Sequence, residues 1–69
     1  MSREYINKLK EKYPAGTRLV IEHMEDKYPV EPGTAGTVRD VDDFGQIHMK
    51  WDNGRVLPII PETDRFHLE

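Results

Sequence analysis

The hydrophobic period of the chain changes once, and the change divides it in two. Over residues 3–12 the apolar side chains Tyr5, Ile6 and Leu9, continued by Tyr13, recur at helical spacing in an otherwise charged stretch, which predicts a short amphipathic helix. Ser2 stands at the N-cap position, Glu4 lies in the first turn where the helix dipole favours an anion, and Pro14 stops the pattern. A helix of about ten residues is marginal alone in water, so its stripe must pack on the rest of the chain or on a partner.

From Gly16 onward the period is two. Strands are predicted over 17–24, 34–41, 46–51, 55–60 and 65–68. In the first, Leu19 and Ile21 share one face while Arg18, Val20 and Glu22 share the other. Between the first two strands, residues 25–33 contain two prolines and four charges, the composition of a long exposed loop, and residues 61–64 form a turn.

Register follows from keeping apolar residues on one face. Around Asp52-Asn53-Gly54, a three-residue loop with Gly54 left-handed sets Met49 opposite Leu57 and Ile47 opposite Ile59, with Arg55 beside Trp51. A two-residue loop would mix the faces. Around residues 42–45, pairing Val41 with Ile47 and Val38 with Met49 leaves Arg39 and Asp40 together opposite His48, the two-against-one count of a β-bulge. The core is then Leu19, Ile21, Val38, Val41, Ile47, Met49, Leu57, Ile59 and Phe66, closed at one end by the helix stripe. The expected architecture is mainly β: a single domain over 1–69, with a five-stranded SH3-like barrel over 16–68 behind the N-terminal helix.

Composition narrows what such a domain does. At 69 residues it has little room for an enclosed active site. It has no cysteine, hence no disulfide framework or thiolate metal site, and no apolar run of membrane-spanning length, so the expected location is the cytoplasm. The net charge of −3 conceals a split: residues 1–20 carry +3, residues 21–45 carry −5 and the remainder −1.

The segments Tyr13-Pro14-Ala15-Gly16-Thr17, Pro32-Gly33-Thr34-Ala35-Gly36-Thr37-Val38 and Trp51-Asp52-Asn53-Gly54 resemble the "YPxGT", "PGTxGTV" and "WDNG" motifs of a small domain family of unknown function in bacteria and phages. That resemblance implies a phage or mobile-element context and no particular chemistry. Gly36, Val38, Ile47, Met49, Trp51, Asp52 and Gly54 show a looser similarity to SH3-like modules such as the MIB/HERC2 domain and the KOW-type barrels. It implies fold, because function in such modules sits in loops and outward side chains.

Candidate chemistry is sparse. Asp43-Phe44-Gly45 spells a kinase tripeptide without the rest of a kinase, and Asp40-Val41-Asp42-Asp43 lacks the spacing of a calcium loop. His23, His48 and His67 fall on three different strands with no paired ligand spacing, so no metal, no cofactor and no catalytic residue is expected. Two binding surfaces remain, of opposite sign. The leading expectation is a non-catalytic module that binds a protein partner through Glu25, Asp26, Tyr28, Trp51 and Arg55, with Tyr28 and either Trp51 or Tyr13 lining a groove for an extended basic or proline-containing segment. The alternative is nucleic-acid binding on the outer sheet face through Arg39, His48, Lys50 and Arg55. A phage factor that sequesters a host component is a further alternative, and the chain is expected as a monomer or a weak homo-oligomer.

Overall fold

A computed structural model describes residues 2–69. Helix α1 (Arg3–Lys12) begins as its sequence dictates: the N–H of Tyr5 donates to Ser2 Oγ at 3.2 Å, and at the other end the N–H of Tyr13 donates to the Leu9 carbonyl at 2.9 Å. Ile6, Leu9 and Tyr13 are buried, and α1 packs on the strand β2 (Ala35–Val41), so the stripe docks within the domain. Its C-terminal end is pinned further where the Tyr13 ring meets Phe66 edge-on, with centroids 5.5 Å apart.

The remaining strands are β1 (Arg18–His23), β3 (Ile47–Trp51) and β4 (Arg65–Leu68). Together with β2 they form one antiparallel sheet in the order β3-β2-β1-β4. The β2–β3 register is the one hydrophobic matching requires: Val38 pairs with Met49 and Val41 with Ile47, while Arg39 and Asp40 share His48 across a bulge. On β1, Leu19 and Ile21 are fully buried and alternate with the half-buried Arg18 and Val20.

The expected fifth strand, 55–60, is reduced to a single bridge, and the sheet stays open with four strands. Ile47 and Ile59 exchange both backbone bonds at 2.9 and 2.8 Å, and the Trp51 N–H donates to the Arg55 carbonyl at 2.9 Å, so the expected register holds at both ends. The middle departs because the indole Nε1–H of Trp51 takes the Leu57 carbonyl at 2.8 Å. That carbonyl is the one a continuous ladder would offer to Met49.

The core holds the expected Leu19, Ile21, Val38, Val41, Ile47, Met49 and Ile59, with Leu57 and Phe66 only partly buried against it. It also takes in Tyr13, Met24, Val30 and Trp51. Trp51, expected to line a partner-binding groove, is 1% exposed. Its indole lies over Gly36, its cross-strand partner, where a Cβ would stand 2.6 Å from Trp51 Cε3. Among the described residues, no helix is long and apolar enough to cross a membrane.

Candidate functional site

One end of the domain is built from two irregular segments, 25–31 and 55–60, which the fold ties together by hydrogen bonds. Val30 anchors the first by complete burial. Asp26 accepts the Tyr28 N–H at 2.9 Å, an Asx turn that sets the loop tip. The guanidinium of Arg55 donates to the carbonyls of Tyr28 and, at 3.1 Å, Pro29, which ties the loop to the 55–60 segment. Asp64, buried to 6% exposure, completes the frame: Oδ1 accepts the Glu25 N–H and Oδ2 the Ile60 N–H, both at 2.8 Å.

This frame presents apolar side chains outward. Tyr28 is 69% exposed, Val56 60%, and Ile60 is also exposed. The Lys27 ammonium sits 5.6 Å from the Tyr28 ring centroid. Glu25 pairs with His23, Glu31 is an exposed acid on the same loop, and Glu62 is exposed on the 61–64 turn that follows the second segment. Of the five residues expected to bind a partner, the structure brings Tyr28, Arg55, Glu25 and Asp26 to this end. Trp51 does not join them, because its side chain is core and is used in holding Leu57. Val56 and Ile60 were missed, although alternation with inward Leu57 and Ile59 points Val56 outward.

The residues expected on a basic face are arranged differently. Arg39 and Lys50 are exposed on β2 and β3, and Lys50 stands opposite Thr37. The imidazole of His48 meets Asp42 at 2.8 Å, and Arg55 is committed to the loop carbonyls. Asp42 also accepts the N–H groups of Phe44 and Gln46. Burial pushes its carboxyl upward, but the Gln46 N–H, His48 and the Phe44 N–H outweigh that and hold it below the usual range. On β1, Arg18 is held bidentately by Asp52 at 2.9 and 2.6 Å and by Glu69 at 2.8 Å, so its positive charge is more than offset and both carboxyls are lowered. Two shallow depressions of about 310 and 250 Å³ meet at the bulge residues Arg39 and Asp40 and at Val41 beside them. Among the described residues, no group of three His, Asp or Glu side chains is placed to hold a metal ion.

The motif residues serve the scaffold. Gly16, Gly33 and Gly54 all adopt positive φ, Thr17 caps the turn after Pro14 through its 2.7 Å bond to the Pro14 carbonyl, and Asn53 accepts the Arg55 N–H at 3.0 Å. These observations define a small domain with one helix on an open antiparallel sheet, whose recurring sequence signals encode turns and one tryptophan–glycine contact. The chain belongs to the family described as a domain of unknown function (DUF4314), whose model matches residues 2–68. No curated protein and no solved structure matches the chain.

Proposed function

We propose that this chain is a non-catalytic protein-interaction module that binds its partner at the end formed by segments 25–31 and 55–60. The observation that carries this reading is the combination of exposure and restraint there: Tyr28 and Val56 are solvent-facing, yet Arg55 and Asp64 fix the backbone beneath them. Apolar side chains held outward on a rigid frame lose little conformational freedom on binding, which favours recognition. The acids Glu25, Asp26, Glu31 and Glu62 around them suit an extended, positively charged segment that also carries apolar side chains. The strand order, with 55–60 leaning on the edge of β3, supports an SH3-like reading in which one barrel strand has shrunk to a bridge. In that reading the 25–31 loop is the long first loop.

The test is affinity capture with wild type, a Tyr28→Ser/Val56→Ser variant and an Arg39→Ala/Lys50→Ala variant. The reading expects partners to be lost from the first variant and kept by the second. Loss from the second alone, together with oligonucleotide binding that weakens steeply with salt, would replace it with nucleic-acid binding on the β2–β3 face.

A further inference from the structure

We propose that the outer edge of β4 pairs with β4 of a second copy of this chain, antiparallel, about a two-fold axis at His67. The sheet has two edges. At the β3 edge the 55–60 segment occupies backbone groups at Ile47 and Trp51. At the β4 edge, no backbone partner faces the strand among the described residues. The Glu69 N–H donates to the Arg18 carbonyl, so by strand alternation residues 65, 67 and 69 bond inward to β1 while Phe66 and Leu68 turn their N–H and C=O groups outward. An unpaired edge of this kind is a template for another strand.

The side chains select a second copy as the occupant. Phe66 and Leu68 pair with Ile21 and Leu19, so both lie on the apolar face of the sheet, yet Leu68 is 62% exposed because the sheet ends there. A two-fold at His67 sets Phe66 opposite the second copy's Leu68 and completes that face on both sides. The same register makes 66 and 68 the hydrogen-bonded pairs, which matches the groups that point outward. It also sets Arg65 opposite the second copy's Glu69, twice; Glu69 shares Arg18 with Asp52 inside its own chain, and the surplus negative charge of that cluster faces Arg65, so the strand is complementary to itself in charge as well as in hydrogen bonding. A parallel pairing, or one displaced by two residues, loses the opposite-charge match. The edge is short, so the association is expected to be concentration-dependent.

The experiment is sedimentation of the 8.1 kDa chain over a concentration series, with amide hydrogen exchange at Phe66 and Leu68. The expected result is a mass that rises toward that of two chains, with protection of those two amides rising in step. Arg65→Glu and Glu69→Arg each place like charges opposite one another and are expected to keep the chain monomeric. The double variant Arg65→Glu/Glu69→Arg restores opposite pairs and is expected to dimerise again. The emission of Trp51 reports that each variant remains folded. A monomeric mass at every concentration overturns the proposal, as does a folded double variant that fails to recover dimerisation. Protection of Phe66 and Leu68 only when a foreign peptide is added assigns the edge to a different partner and likewise overturns it.

Discussion

Gly36→Ala tests the packing that underlies the whole domain. The added methyl would stand 2.6 Å from Trp51 Cε3, 3.0 Å from the Lys50 carbonyl and 3.1 Å from Trp51 Cα. Two of these atoms belong to the β3 backbone, and the indole is fixed from its other side by the 2.8 Å bond to Leu57, so nothing moves away freely. Overpacking of this kind costs about 1–3 kcal/mol, and the reduced freedom of the unfolded chain offsets about 0.4–1 kcal/mol of it. The net loss is about 1–2 kcal/mol, against a total stability of roughly 3–10 kcal/mol for a chain of 69 residues. With an unfolding entropy of about 2.1 cal/mol/K per residue, Tm should fall by roughly 7–14 °C. The assay is thermal unfolding followed by circular dichroism, with the emission of the sole tryptophan as a second probe. In a Trp51→Phe background the closest of these contacts, with Cε3, is removed while the two β3 backbone contacts stay, so the same Gly36→Ala change should lower Tm by less. A Tm within about 2 °C of wild type for Gly36→Ala alone, or an equal drop in both backgrounds, would refute the reasoning.

Asp64→Ala removes the acceptor of the part-buried bonds from the Glu25 and Ile60 N–H groups and should cost about 1–3 kcal/mol, read as a lower urea midpoint; a change under about 0.5 kcal/mol contradicts the frame described for the loops. Acid should also destabilise the domain through Asp42. Its carboxyl is held lower in the folded chain than the ordinary value of 3.8, so the stability it contributes is present above that value and disappears as pH falls through the folded value. Urea midpoints measured from neutral pH downward should therefore drop less steeply at acid pH in Asp42→Asn than in wild type, and parallel curves would show that the Gln46, His48 and Phe44 contacts to this carboxylate together contribute nothing.

Much of the fold was legible because it rests on local and pairwise patterns. The helix from Arg3 to Lys12, its buried stripe and the bulge at Arg39 and Asp40 all follow from which residues are apolar and how far apart they stand. The fifth strand failed for a reason no period reports: a side-chain donor, Trp51 Nε1, competes with a backbone N–H for the Leu57 carbonyl. The burial of Trp51 has a similar origin, since the space it fills exists only because residue 36, facing it across the strands, is glycine. The pattern also left Val30 in an exposed loop, because an isolated anchor has no period. At the candidate site, Tyr28 and the nearby acids could be picked out by composition, and the outward position of Val56 by alternation. What tethers them could not: Asp64 and Arg55 act through backbone groups more than twenty-five residues away in sequence.

Which surface of the domain meets a partner decides its function. Capture by wild type, by Tyr28→Ser/Val56→Ser and by Arg39→Ala/Lys50→Ala, with each variant first shown to unfold at the wild-type temperature, measures this directly. The expected result is a protein retained by wild type and by the Arg39/Lys50 variant and absent from the Tyr28/Val56 variant. The same protein retained undiminished by the Tyr28/Val56 variant would contradict the account.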